Sequence, residues 1–187
     1  VIFVTHDIDE AVKMSDRIAV MRDGKLVQYA TPAELLANPA DDFVADFVGA
    51  DRALKRLSLM RIADLELTPA PTVTATEHVE IVHSRIGGGH LEPIDGYVLV
   101  TDDAGRPTGW VVVARMVPGG RVGESPLIGA QPLLEPRTTA RDALSRMLEA
   151  GARAAAVVDA DGSVAGIVEI ATIARIAHPR PMEAVAG

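Results

Sequence analysis

Cysteine is absent from this 187-residue chain, which excludes a disulfide framework, a thiolate zinc centre and a cysteine nucleophile. Aromatic residues are scarce at 3%, with one Trp, two Tyr and three Phe. A core must therefore be assembled from Ala, Val, Leu and Ile. Bases are outnumbered, 18 Lys and Arg against 26 Asp and Glu, for a net charge of −8. The chain thus lacks the basic footprint of a nucleic-acid partner. The deficit is concentrated early, because residues 1–50 hold nine acids against four bases. No apolar run approaches the roughly 20 residues that span a bilayer, so association with a membrane is expected only through a partner. What remains is an apolar fraction of 48%. That is enough for one or two domains of helices packed on sheets, and it argues against disorder.

The first 60 residues alternate in texture. Val1 to Val4 form a short β-branched run that predicts a strand buried on both faces, as in a parallel sheet. "DIDEAVKMS" predicts a helix with Asp7 at the N-cap and Asp9 and Glu10 in the first turn, facing the positive end of the dipole. "DRIAVMRDGKLVQYA" places Asp23-Gly24 between two apolar arms, which is a hairpin signal. "TPAELLANP" predicts a short capped helix with Thr31 at the N-cap, Pro32 at N1 and Glu34 at N3. "DDFVADFVGADRALKRLSLM" reads as an amphipathic helix or a pair of helices parted at Gly49. Its later part is basic and suits a connector.

Beyond residue 57 the sequence repeats. "YVLVTDDAGRPTGWVVVARM" (97–116) superposes on "AAVVDADGSVAGIVEIATI" (155–173) at an offset of 57, matching Asp102 with Asp159, Gly105 with Gly162 and Gly109 with Gly166. Upstream, "TATEHVEIVHSRIGGG" aligns with "TTARDALSRMLEAGAR" at an offset of 64, so the first copy holds extra residues near "GGGHLEPIDG". Each copy reads as a Thr-rich extended lead-in, helix, strand, Asp/Gly turn, strand and helix. Two such units are expected to pack on each other, because one alone buries too little apolar face.

Residues 1–50 resemble the end of an ABC-transporter ATP-binding subunit, closest to those importing glycine betaine, choline, proline and related compatible solutes. The resemblance rests on His6 after a strand, "DRI-A-VM-DG", "TP-E-L--NP" and "FV-DFVG". The repeated unit is similar to a tandem of CBS domains, recognised by "G-I/W-V" after an Asp/Gly turn. That pairing is the architecture of this importer subfamily. The resemblance implies an α/β fold: the C-terminal remnant of a P-loop (RecA-like) nucleotide-binding domain, followed by an α+β CBS pair. The implied domains are the ATP-binding end at 1–50, a helical connector at 51–66, CBS domains at 67–118 and 119–178, and a tail at 179–187.

Several functional expectations follow from that resemblance. His6 would be the switch histidine that contacts the γ-phosphate of ATP, in a parent that also uses Mg. The family's phosphate loop G-x-x-x-x-G-K-[ST], its LSGGQ-like signature and its Walker B carboxylates are not found in these 187 residues. The chain is therefore expected to be a C-terminal or truncated piece that does not hydrolyse ATP by itself. Expected partners are a second ATP-binding subunit, membrane permease subunits and, indirectly, a substrate-binding protein, at the cytoplasmic face of the membrane. Nucleotide-binding CBS domains carry G-h-[VI]-T-x-x-D. Here "GIVEIAT" puts Glu169 at the Thr position and Thr172 at the Asp position, while "GWVVVAR" puts Val112 and Arg115 there. The ribose carboxylates are missing from both copies, so an adenine nucleotide or a cyclic dinucleotide would depend on other groups, with Arg115, Glu169 and Thr172 as candidates in the cleft.

Other motifs are read as structural. Gly87 to Gly89 predict a helix-end loop enlarged by insertion, "DADG" at 159–162 predicts a turn, and His78, His83 and His90 fit no common zinc spacing. The alternative function is a non-catalytic, dimerising CBS module that senses a ligand.

Overall fold

The computed structural model describes residues 1–177. Among them the chain forms two compact units, one of residues 1–60 with 174–177, the other of residues 61–173. The tail expected at 179–187 lies outside the described residues.

In the first unit Asp7 caps α1 (Ile8–Met14), its carboxylate accepting from the Asp9 and Glu10 amides at 2.8 and 3.2 Å. Strands β1 (Ile18–Arg22) and β2 (Lys25–Ala30) pair antiparallel. The turn between them has φ of +50° at Asp23 and +74° at Gly24, the left-handed pair that a two-residue hairpin requires. Thr31 opens α2 (Pro32–Ala37) with the reciprocal capping box predicted with Glu34. Helices α3 (Asp42–Val48) and α4 (Arg52–Leu59) are indeed two, parted at Gly49, whose φ of +92° few other residues adopt. Leu35, Leu36, Val44 and Val48 form the buried centre together with Val12, Ile18 and Val20.

One expectation fails here. Val1 to Val4 form no strand, and all four side chains are exposed. A doubly buried strand needs neighbours on both edges and cover on both faces. The only sheet of this unit among the described residues is the β1–β2 hairpin, so the backbone of residues 1–4 has no ladder to join. Apolar composition alone does not make a strand where nothing pairs with it.

The second unit contains both repeat copies. In the first copy β3 (Thr72–Thr74) pairs parallel with β4 (Tyr97–Thr101), which pairs antiparallel with β5 (Pro107–Val112). Helix α5 (Val79–Gly87) connects β3 and β4. In the second copy β7 (Leu133–Leu134), α6 (Ala140–Glu149), β8 (Ala154–Val158) and β9 (Val164–Glu169) repeat that arrangement, and α7 (Ile170–Ala177) follows. Gly105 and Gly162 occupy the matched Asp/Gly turns with positive φ, and the amides of Gly105 and Gly162 return to Asp102 and Asp159 carbonyls. The two turns also meet: Val164 donates to the Gly105 carbonyl at 3.0 Å, and Arg106 Nε donates to the Asp161 carbonyl at 3.1 Å. The final helix expected in the first copy is only a single 3-10 turn, Val113–Arg115. Pro118 and Gly119-Gly120 follow it closely, and that sequence cannot continue a helix.

Each copy is completed by the chain segment that precedes the other. Strand β6 (Leu127–Ile128), just ahead of the second copy, pairs with β5 of the first. Thr68, just ahead of the first copy, exchanges two backbone hydrogen bonds with Ile167 on β9 of the second, at 2.8 and 2.9 Å. The same exchange occurs one turn earlier. Val122 and Gly123 donate to Glu77 and Ala75, whereas Ile62 and Ala63 donate to Thr138 and Pro136. This crossing explains why the repeat preserves its glycines. A Cβ on Gly109 would stand 2.8 Å from the Ile128 carbonyl oxygen, and one on Gly166 would stand 2.9 Å from Leu67 Cβ. The crossed segments are themselves a repeat at an offset of 60, "RIADLELT" against "RVGESPLI". In each the acid, Asp64 or Glu124, accepts from the backbone amide of its Arg. Between the two sheets lie Leu99, Trp110, Ala156 and Ile167.

Candidate functional site

Two places in the chain have chemistry to offer, one in each unit. In the first unit, Thr5, His6 and Asp7 form a bend with interlocked polar groups. Asp7 N–H donates to Thr5 Oγ1 at 3.0 Å, and Thr5 Oγ1 donates to Glu10 Oε2 at 2.9 Å. The residues flanking His6 are thus fixed to the first turn of α1. His6 itself is exposed, so the imidazole is presented outward from a held backbone. That arrangement allows a side chain to meet a phosphate supplied from outside these residues.

In the second unit, two adjoining cavities share Ile94, Asp95 and Arg153. The larger, about 520 Å³, is lined by residues that include Tyr97, Trp110, Gln131 and the Ala152–Ala154 stretch. Its volume falls in the range of about 300–1,000 Å³ usual for small-molecule sites. The smaller, about 280 Å³, adds Glu169, Ile170 and Ala171. The local sequence explains the placement. Gly88 and Gly89 end α5, and the inserted loop then returns through a left-handed Asp95 (φ +50°) and Gly96 (φ +82°) to start β4. That turn carries Asp95 across from the first copy to Arg153, at the start of β8 in the second, where Asp95 Oδ2 lies 3.3 Å from the Arg153 guanidinium. The pair is largely open to solvent, with side chains 52% and 84% exposed, so it is worth little to stability. Its guanidinium is available to an incoming anion.

The predicted cleft residues separate. Glu169 lines the smaller cavity and accepts from Thr68 Oγ1 at 3.4 Å. Thr172, three residues after Glu169, lies half-buried on α7. Arg115 is exposed on the 3-10 turn of the first copy and lines neither cavity. The sequence reading did not single out Asp95, Tyr97, Gln131 and Arg153. Tyr97 and Trp110 are signalled weakly by aromatic scarcity, since two of the chain's six aromatic side chains stand in this cavity. Asp95 belongs to the insertion and has no counterpart in the repeat.

Two strand–helix–strand–strand copies exchanging their leading segments around a shared cleft define a tandem of CBS domains. A CBS-domain family profile matches residues 131–178. The fold is similar to the CBS domain of a CBS-domain-containing membrane protein from Sphaerobacter thermophilus, with a TM-score of 0.57 and 15% identity over 71% of this chain and 97% of that one. It is also similar to CBSX2 solved in complex with AMP, with a TM-score of 0.50 and 21% identity over 63% of this chain and 96% of that one. In sequence the whole chain belongs with the ABC-transporter ATP-binding subunits of compatible-solute importers. It is 32% identical to the carnitine transport ATP-binding protein OpuCA of Listeria monocytogenes over 186 residues, 95% of this chain. It is 46% identical to the osmoprotectant import ATP-binding protein OsmV of Salmonella typhimurium over 112 residues, 59% of this chain. The chain spans 45% of the length of OpuCA, and the alignment with OsmV covers 28% of that protein. The chain accordingly includes the carboxyl-terminal remnant of an ABC nucleotide-binding domain together with a CBS tandem.

Proposed function

We propose that this chain is the regulatory end of an ATP-hydrolysing subunit that drives a membrane importer of quaternary amines such as glycine betaine, with the CBS tandem biasing the cycle. The observation that carries the reading is His6, exposed on a bend locked to a capped helix and followed in order by the "DRI-A-VM-DG", "TP-E-L--NP" and "FV-DFVG" stretches. Phosphoryl transfer needs positioning and charge stabilisation more than covalent chemistry. A histidine on a fixed backbone suits the placing of an attacking water beside a γ-phosphate. The phosphate cradle, the Mg ligands and the second subunit would come from outside these residues. Attachment to the membrane would come through the permease.

The cleft suits a purine mononucleotide such as AMP. Tyr97 and Trp110 offer aromatic surface to a base, Arg153 offers a guanidinium to a phosphate, and Gln131 offers an amide. The motif Asp that would accept from a ribose diol is replaced by Thr172, but Asp95 and Glu169 both place carboxylates at the smaller cavity. Either one can accept from vicinal hydroxyls.

The transport reading is tested with the intact subunit reconstituted with its permease, by uptake of labelled glycine betaine, choline and carnitine. ATP-dependent accumulation of at least one is expected. Turnover of ATP with no quaternary amine moved would contradict it.

A further inference from the structure

Ile94, Asp95 and Arg153 line both cavities of the second unit, and the backbone that carries Asp95 is tightly held. Ile94 and Tyr97 exchange two backbone hydrogen bonds, at 3.0 and 2.9 Å, which close Asp95 and Gly96 into a two-residue turn. Both central residues have positive φ, +50° and +82°, as such a turn requires. Val113, the residue after β5, donates its N–H to the Gly96 carbonyl at 2.9 Å and anchors the turn. In the second copy Glu169 pairs with Ala154 across β8 and β9, and Ile170 N–H donates to the Arg153 carbonyl at 3.0 Å. The charges of the cleft thus stand on fixed backbone, although the Asp95 and Arg153 side chains are more than half exposed.

Among the described residues that line either cavity, Arg153 is the only cation, against the carboxylates of Asp95 and Glu169. We infer that these two carboxylates make the cleft selective for a nucleoside monophosphate over the corresponding di- and triphosphate, with Asp95 as the main specificity residue. The inference rests on the nucleotide reading of the cleft given above and sets which phosphate form the cleft takes. A monophosphate carries about two negative charges near neutral pH. One guanidinium can meet one phosphate group in a bidentate pair, so Arg153 suffices for it. Asp95 already lies 3.3 Å from that guanidinium, and an incoming phosphate must share it. Each further phosphate adds about one more negative charge. It finds no second cation among the described lining residues, and both carboxylates repel it. Glu169 immediately precedes α7, so the positive end of that helix has a carboxylate beside it rather than room for a second phosphate. Water and salt screen groups this exposed, so each carboxylate contributes a factor of a few rather than orders of magnitude. A cleft with this preference responds to a rise in AMP against a background of ATP.

Binding to the purified chain tests this, without divalent cations and at fixed ionic strength. Emission of Trp110, which lines the larger cavity, is followed as AMP, ADP and ATP are titrated, with calorimetry as the second readout. Wild type is expected to bind AMP about tenfold more tightly than ATP, with ADP between them. Asp95→Asn should narrow that gap to about threefold, chiefly by tightening ATP. Asn adopts positive φ more readily than most residues, so the turn should survive. Glu169→Gln should narrow the gap to about fivefold, and the double variant should bring the two nucleotides within about twofold. Added potassium chloride should shrink the wild-type gap as well. Wild type that binds ATP as tightly as AMP overturns the inference, as does a folded Asp95→Asn chain that keeps the wild-type gap. A chain that binds none of the three contradicts the nucleotide reading of the cleft, and the selectivity falls with it.

Discussion

Ile167→Ala is expected to lower the unfolding free energy of the CBS unit by about 2–5 kcal/mol, the range for emptying a packed isoleucine site. Ile167 is fully buried, and its side chain sits with Leu99, Trp110 and Ala156 where the two sheets meet. Its backbone is held from both sides, paired with Ala156 on β8 and twice with Thr68 of the crossing segment. The neighbours cannot close the void without breaking that pairing, which places the cost toward the upper part of the range. Urea denaturation followed by circular dichroism checks it through the midpoint, at an unchanged slope. Ile128→Ala makes a matched control, because Ile128 pairs with Trp110 through its backbone but is 50% exposed. Its loss should cost less than about 1 kcal/mol, a surface-like value. Equal destabilisation by the two substitutions would show that the sheets do not meet at Ile167.

His6→Ala in the intact subunit is expected to reduce ATP turnover on the order of a hundredfold, the scale on which misplacement of a reacting group acts. ATP binding should persist, because the phosphate cradle lies elsewhere. Since His6 is exposed, its removal should move the thermal midpoint of this chain little, with a free-energy change of about 0.5 kcal/mol or less. Turnover by stopped assay and binding by filter retention separate the two effects. Turnover within twofold of wild type would remove His6 from the reaction.

Local rules account well for the first unit. The Asp7 and Thr31 caps, the Asp23-Gly24 hairpin and the break at Gly49 each depend on residues within four positions of one another, and each is where spacing places it. Val1 to Val4 mislead for the opposite reason: whether they form a strand depends on neighbours remote in sequence. In the second unit the 57-residue offset reveals two copies because the turn and strand residues are under the same constraint in each. The crossing of residues 61–68 and 121–128 is harder to read. Its repeat runs at a different offset, 60, and beyond Arg61/Arg121 and Leu67/Leu127 matches by type rather than identity, Ile62 with Val122 and Asp64 with Glu124. The cleft is hardest of all. Asp95 comes from an insertion and Arg153 from a helix-to-strand junction, and only the return of the chain through Asp95 and Gly96 brings them to 3.3 Å. The motif positions Arg115 and Thr172 attract attention by what they lack, while the carboxylates at the smaller cavity come from Asp95 and Glu169.

The chain's single tryptophan stands in the larger cavity, so its fluorescence reports directly on whether the CBS tandem receives a nucleotide. Titration of the purified chain with AMP should give a saturable change in Trp110 emission, with a matching calorimetric isotherm. Arg153→Ala should weaken AMP about tenfold, through the loss of a charged hydrogen bond, while leaving the weaker binding of adenosine unchanged. No saturable change with AMP or with a cyclic dinucleotide, by fluorescence and by calorimetry alike, would contradict the account of the cleft as the module's ligand site.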